Sequence, residues 1–275
     1  MIVDMKLTPL HVSRFMELGV KGFGRLKDVK LQMRPLCVMI GANGVGKTSI
    51  LDALWMLANC AQGRLNNSIS ELGGLTSFLT YDYVNALSLE VTMQVGKDGE
   101  MQYKLMIETG GTGYQIAVES LEESDVFGTC RRYIESSYSD IKYRDFAQKP
   151  LQPTWDFARL ESALSQVPKM FQQPETFRSR LASSTFYHVL NVGARALVRL
   201  PQQMRPAALP GRDGEDLVAC LYTLRESERD RFEAIKDSLR AAFPRFERLE
   251  FPPVAAGTIA LAWRDERYTK PLYMH

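Results

Sequence analysis

The stretch Gly41-Ala42-Asn43-Gly44-Val45-Gly46-Lys47-Thr48 constrains this chain more than any other, because it dictates what must come before and after it. It has the spacing G-x-x-x-x-G-K-[ST], a phosphate-cradling loop when it joins a strand to a helix. Before it, Leu36-Cys37-Val38-Met39-Ile40 is apolar at every position, as suits a strand covered on both faces in an α/β sheet. After it, residues 47–60, with Ile50, Leu51, Leu54, Met56 and Leu57, predict a buried helix. Gly41, Gly44 and Gly46 let the backbone wrap close to phosphate oxygens, so that successive N–H groups form an anion nest. The helix beginning near Lys47 adds its dipole and unpaired amides. Lys47 is then expected to reach the β- and γ-phosphates of a nucleoside triphosphate, and the Thr48 hydroxyl to ligate Mg2+ between the same oxygens. Ser49 is placed for a further contact to the α- or β-phosphate.

At 275 residues the chain makes one large domain or two modest ones, and 45% hydrophobic content is ample for a core. A formal charge of +2 carries no polyanion-binding signature, so nucleic acid is neither implied nor excluded. Cys37, Cys60, Cys130 and Cys220 form no CxxC pair, which argues against a zinc ribbon or redox motif and for reduced thiols. No apolar run approaches the roughly 20 residues of a membrane helix. The opening residues also lack the basic-then-apolar order of a signal peptide, so a cytoplasmic protein without membrane attachment is expected.

Phe15 to Val20 predicts a strand, Gly22-Phe23-Gly24 a turn, and Val29, Leu31 and Met33 a half-buried strand. From Leu87 the period becomes two: Leu87, Leu89, Val91, Met93 and Val95 alternate with polar residues. Turns at 96–99 and 110–113 lead on to Met101, Tyr103, Leu105 and Ile107, then to Tyr114, Ile116 and Val118, a three-strand meander. Helical spacing takes over from about residue 156, punctuated by prolines at 168, 174, 201, 206 and 210. Phe232, Ile235, Leu239, Ala242 and Phe243 share a stripe that Pro244 ends, and Leu249 to Trp263 reads as strand, turn, strand around Ala256-Gly257. The expected division is a nucleotide-binding lobe with its meander over 1–150, a helical insertion over 151–248, and a β segment over 249–275.

Phe15-Met16-Glu17-Leu18, Gly22-Phe23, Leu26-Lys27-Asp28 and the run from Ile40 through Leu54 together resemble the RecF/SMC-like branch of ABC-type ATPases, within it bacterial ATPases labelled AAA. Asn43 inside the loop and Leu51-Asp52-Ala53-Leu54 after it separate this branch from other P-loop proteins. Gly73-Gly74, Phe186-Tyr187-His188, Arg199-Leu200-Pro201 and Asp213-Gly214-Glu215-Asp216-Leu217 followed by Leu221 extend the likeness over most of the chain. The resemblance implies an α/β P-loop NTPase of ABC/SMC-head type, with an antiparallel β subdomain and a helical insertion. It also implies ATP and Mg2+ as ligands and a homodimer closed around an ATP sandwich. DNA or an effector protein as a partner is inherited from the family alone.

Hydrolysis in such heads needs a Ser-Gly signature segment and an apolar strand ending in Asp-Glu. The nearest approach to the second is Thr258-Ile259-Ala260-Leu261-Ala262-Trp263-Arg264-Asp265-Glu266, but Arg264 interrupts it and Gly257 marks it as the second arm of a hairpin. The catalytic acid is therefore unknown. In the family, a segment resembling Lys270 to His275 runs almost at once into the signature, so the sequence is expected to be an N-terminal portion that binds nucleotide and turns over little. Two rival readings are a non-hydrolysing nucleotide-binding module that complexes with another protein, and a P-loop kinase. The meander argues against the kinase, whose strands and helices would alternate.

Smaller constellations read more plainly. Phe186-Tyr187-His188 has no nucleophile framing its histidine and is expected in a core or interface. Arg25 and Lys27 read first as a solvated turn, with nucleotide contact as the alternative. Gln115 carries no lid motif around it, and the run from Arg225 to Arg231 reads as a solvated helix face. Arg178, Arg180, Arg195, Arg199, Arg205 and Arg212 raise the positive charge of the helical part, where a nucleic-acid surface is the secondary reading.

Overall fold

A computed structural model describes residues 14–80, 85–96, 99–111, 113–138, 140–185, 187, 190–193, 195–211 and 213–274. The chain divides into two units, Met1–Ser184 and Thr185–His275.

The first unit is built on an eight-stranded sheet of order β2-β1-β3-β4-β5-β6-β7-β8 in which each neighbouring pair is antiparallel. Its strands are β1 (Phe15–Phe23), β2 (Leu26–Gln32), β3 (Ala86–Val95), β4 (Gly99–Gly110), β5 (Gly113–Ser124), β6 (Cys130–Ser137), β7 (Asp140–Arg144) and β8 (Pro150–Leu151). The period-two pattern of β3 is realised through Met93, for Leu87, Leu89, Val91 and Met93 are buried while the residues between them, and Val95 at the end, are half-buried. The same core takes in Met56, Leu57, Cys60 and Ala61 of helix α1 (Lys47–Ala61), Leu65 and Ile69 of α2 (Leu65–Glu71), Leu75 and Phe78 of α3 (Leu75–Phe78), and Phe177 and Leu181 of α4 (Gln172–Ala182). Phe177 anchors α4 with its ring 5.8 Å from that of Tyr103 and 6.1 Å from that of Phe15.

In β5 the expected inward face is corrected. The pairing with β4 shifts register beside Ile107, and Ile116 and Ala117 are both buried in succession. An extra residue in one strand reverses the alternation that follows it. Val118 accordingly turns outward, 36% exposed, and Glu119 turns inward, 1% exposed.

The run Leu36–Ile40 is a second correction. It forms no strand, and Leu36, Val38 and Ile40 are 80%, 72% and 92% exposed. A strand buried on both faces needs neighbouring strands and covering helices; among the described residues none pairs with 36–40. The fold is mixed α/β, with antiparallel sheets where the sequence predicts a central α/β sheet around the loop.

The second unit carries two three-stranded sheets, of orders β10-β13-β14 and β11-β12-β9. They comprise β9 (Gln202–Gln203), β10 (Phe246–Glu250), β11 (Pro253–Ala255), β12 (Thr258–Ile259), β13 (Ala262–Asp265) and β14 (Leu272–Tyr273), joined by α5 (Leu217–Ser227) and α6 (Arg229–Ala242). Val218, Phe232, Phe246, Leu249, Phe251, Ile259 and Leu261 form its core. Helix α6 ends two residues before Pro244, as expected, and Ala256-Gly257 turns β11 into β12. Among the described residues no helix is long and apolar enough to cross a membrane.

Candidate functional site

The loop 41–48 is shaped by two glycines in the left-handed region, Gly44 at φ +83° and Gly46 at φ +100°. Gly46 caps the N-terminus of α1, and a Cβ there would stand 2.8 Å from Leu26 Cδ2. Both its dihedral and the close approach of β2 therefore demand glycine. The first helical hydrogen bond runs from the Ile50 N–H to the Gly46 carbonyl, 3.1 Å. The N–H groups of Lys47, Thr48 and Ser49 thus find no acceptor within the helix. No side chain caps this end and its first turn holds no acidic residue, so nothing repels an incoming anion from the positive end of the dipole.

Lys47 folds back across the loop, its Nζ donating to the carbonyls of Gly41 at 2.8 Å and Ala42 at 2.7 Å. The ammonium is held by two neutral acceptors, which a charged oxyanion would outcompete. Gly41, Ala42, Asn43, Gly44, Val45 and Thr48 are exposed, while Ser49 is half-buried. Amides, ammonium and the Thr48 hydroxyl together fit a polyphosphate with a hard cation.

The turn between β1 and β2 dovetails with this loop. A Cβ on Gly24, at φ +57°, would meet Ser49 Oγ at 2.7 Å, and one on Gly46 would meet Arg25 Cβ at 3.4 Å. Arg25 therefore stands beside the loop with its side chain exposed.

The far end of α1 is gripped by side chains to which the sequence assigns no such place. Arg178 Nη1 donates to the Ala61 carbonyl at 3.4 Å, Gln62 Nε2 to the Ala182 carbonyl at 2.6 Å, and Ser162 Oγ to the Cys60 carbonyl at 3.0 Å. Cys60 Sγ lies 3.3 Å from the Tyr103 hydroxyl, which donates to Glu119 Oε1 at 2.9 Å. Glu119 also accepts the N–H groups of Ala163 at 2.7 Å and Leu164 at 2.8 Å. Burial pushes its carboxyl up to about 7, against the opposing pull of the Leu164 and Ala163 amides and the Tyr103 hydroxyl. The same burial raises the Cys60 thiol to about 12, aided by the nearby Glu119. Glu161 caps α2 through the N–H groups of Leu65 at 2.8 Å and Asn66 at 3.2 Å. Nothing in the sequence marks Glu119, because its inward position depends on the bulge.

Other predicted positions fall elsewhere. Asp265 ends β13, which pairs antiparallel with β10 and β14. Its carboxylate accepts the Arg267 N–H at 3.0 Å, Nε at 2.9 Å and Nη2 at 2.9 Å, and this clamp holds its pKa down at about 2. It serves a turn, as the hairpin reading expects. Gln115 Nε2 donates to Glu108 Oε1 at 2.7 Å. Arg178 pairs with Glu175 and Arg205 with Asp216, while Arg199 donates to the carbonyls of Val192 and Met274. Arg180 and Arg195 are exposed, and Arg225 and Arg231 pair with Glu226 and Glu228 at the surface. Phe186, His188 and Arg212 lie outside the described residues, and Tyr187 is exposed. In the second unit Gln202, unremarked in the sequence, ties the resembling segments together: its Nε2 donates to the Gly214 carbonyl at 3.0 Å and its Oε1 accepts the Val218 N–H at 2.8 Å. Among the described residues no cluster of His, Cys, Asp and Glu could by itself hold a metal ion.

A glycine-rich loop with two left-handed residues on an uncapped helix N-terminus, with a lysine drawn across it, has the parts of a phosphate-binding loop without the preceding strand that the spacing predicts. Residues 36–275 match the family described as AAA domain, putative AbiEii toxin, Type IV TA system, and the chain belongs to that family. Nucleotide binding is the property that membership in such an AAA-type ATPase family carries. No curated protein matches the chain.

Proposed function

We propose that this chain is an ATP-binding head of the ABC/SMC type, RecF-like in its loop, in which MgATP held at Gly41–Ser49 drives the association of two heads. The observation that carries this reading is the loop itself: two left-handed glycines, an unpaired helix terminus, and the Lys47 ammonium resting on two carbonyls. Magnesium, when bound, would supply positive charge to the β- and γ-phosphate oxygens of the nucleotide. Lys47 transfers its hydrogen bonds from Gly41 and Ala42 to those oxygens, and Thr48 offers its hydroxyl to the cation. Arg25, beside Gly46, adds a second positive charge at the edge of the loop. Hydrolysis requires a signature segment and an acidic pair; Asp265, engaged by Arg267, is not offered for that role.

The test is solution mass measured while MgATP is titrated. Dimers that form with nucleotide and vanish in Lys47→Ala support the proposal. The exposed apolar run Leu36–Ile40 beside the loop favours a second reading, a nucleotide-binding module that associates with a different protein. A chain that binds ATP through Lys47 and stays monomeric at every concentration would favour that alternative. The antiparallel meander argues against a kinase, and absence of phosphoryl transfer to small acceptors is the expected result.

A further inference from the structure

The eight-stranded sheet ends on β2, whose outer side pairs with no strand among the described residues. A free edge of seven residues is a template for another strand. Lys27, Asp28, Lys30 and Gln32 are exposed on it, while Val29 and Leu31 are half-buried against the core behind them.

The charges at this edge have an order. Asp28 pairs with Lys21 of β1 at 2.9 Å, and Lys30 pairs with Glu17 of β1 at 3.5 Å. Standing two residues apart on one strand, Asp28 and Lys30 share a face. Their side chains are 52% and 63% exposed, so each can meet a further charge from beyond the edge.

The strand runs Leu26–Gln32, with Val29 at its midpoint. Two copies laid antiparallel about a two-fold axis through Val29 overlap over their whole length. That register sets Leu26 opposite Gln32, Lys27 opposite Leu31 and Asp28 opposite Lys30. Residues directly opposite across antiparallel strands lie side by side on one face, so each Asp28 meets Lys30 of the second copy, twice by symmetry. With the pairs already present, the row reads Lys21, Asp28, then Lys30 and Glu17 of the second copy, alternating in sign. A slip of two residues is the smallest that keeps the core faces on one side, and it sets Lys30 against Lys30 or Asp28 against Asp28. The one register that uses the full strand is therefore also the one that matches its charges.

We propose that the β2 edge is a self-association surface, on which a second copy of this chain adds its own β2 antiparallel about Val29. This pairing needs no nucleotide, so it stands whether or not the loop binds one. The test is sedimentation velocity of the full chain without nucleotide, at low and at high salt. A single strand pairing makes a small interface, so a reversible dimer with a Kd of about 10–100 μM is expected, weakened several-fold by salt. Asp28→Lys and Lys30→Asp each set like charges opposite one another and should weaken it about tenfold. A mixture of the two variants restores opposite charges at both places and should dimerise as the wild type does, while Lys47→Ala should change nothing. Melting temperatures establish that each variant is folded, as expected where exposed ion pairs contribute little to stability. A monomer up to about 500 μM, a dimer indifferent to both substitutions, or a mixture that fails to associate would overturn the proposal.

Discussion

Gly46 and Gly44 share a motif and a left-handed dihedral but not a neighbourhood, so alanine at each should report different physics. At Gly44 a Cβ would meet nothing within 4 Å, which leaves only the intrinsic dihedral strain, of order 1–2 kcal/mol. At Gly46 the same strain adds to a contact 2.8 Å from Leu26 Cδ2, which must move or force the loop away from β2. Gly46→Ala is expected to lose about 1–3 kcal/mol by denaturant unfolding and nucleotide affinity with it, and Gly44→Ala distinctly less stability. Glu119 makes a prediction about pH. Its folded pKa is raised by burial to about 7, above the ordinary 4.5, so the folded chain holds a proton that the unfolded chain releases between those values. The stability from this group is fully present below pH 4.5 and is lost as pH rises through 7. Glu119→Gln should abolish that decline in a pH series of melting temperatures. It should also lower the value at acid pH, because an amide Nε2 facing the Ala163 or Leu164 N–H leaves a buried donor unpaired, at about 1–3 kcal/mol. A variant that retained the wild-type slope would assign the titration to another group.

Elements were legible where one local rule governed them. The alternation of 87–95 appears as β3 with Leu87, Leu89, Val91 and Met93 inside and Val95 half-buried at its end, and the helix after the loop appears as α1. Strands β6 to β8 were not read, because Arg131, Arg132, Glu135 and Ser136 dilute the alternation there and the pairing comes from the meander already formed. The inward turn of Glu119 hides behind a bulge, a defect of register that depends on the neighbouring strand. The run 36–40 failed for a different reason: apolar character records a preference for burial, whereas burial itself requires neighbours from elsewhere in sequence. Spacing alone singles out the loop 41–48, whereas the packing of Gly24 and Arg25 against it depends on the three-dimensional turn. The exposure of this run can be measured. Val38→Ala should change stability by no more than about 0.5 kcal/mol, as at an ordinary surface site. Leu57→Ala, at a fully buried position in α1, should cost about 2–5 kcal/mol. A large loss in Val38→Ala would place that side chain in a buried strand.

At the scale of the molecule, the two units keep separate accounts of burial. The first core draws on residues from Leu18 to Leu181, the second on residues from Val218 to Leu261, and among the described residues no buried side chain belongs to both. Cooperativity in unfolding follows shared packing, so each core should melt as its own unit. The cores are probed by two aromatics with comparable roles. Phe177 is fully buried against Tyr103 and Phe15, and Phe251 sits between Tyr222 and Phe232 with ring centroids 5.9 Å and 6.2 Å away. Removing either ring should cost its own unit about 3–5 kcal/mol. Differential scanning calorimetry should therefore resolve two transitions, with Phe177→Ala lowering one and Phe251→Ala the other. The nucleotide loop lies in the first unit, so MgATP should raise the transition that Phe177→Ala lowers, by an amount that grows with ligand concentration. A single transition displaced equally by both substitutions would mean that the units unfold together, and stabilisation by nucleotide would then spread to the whole chain.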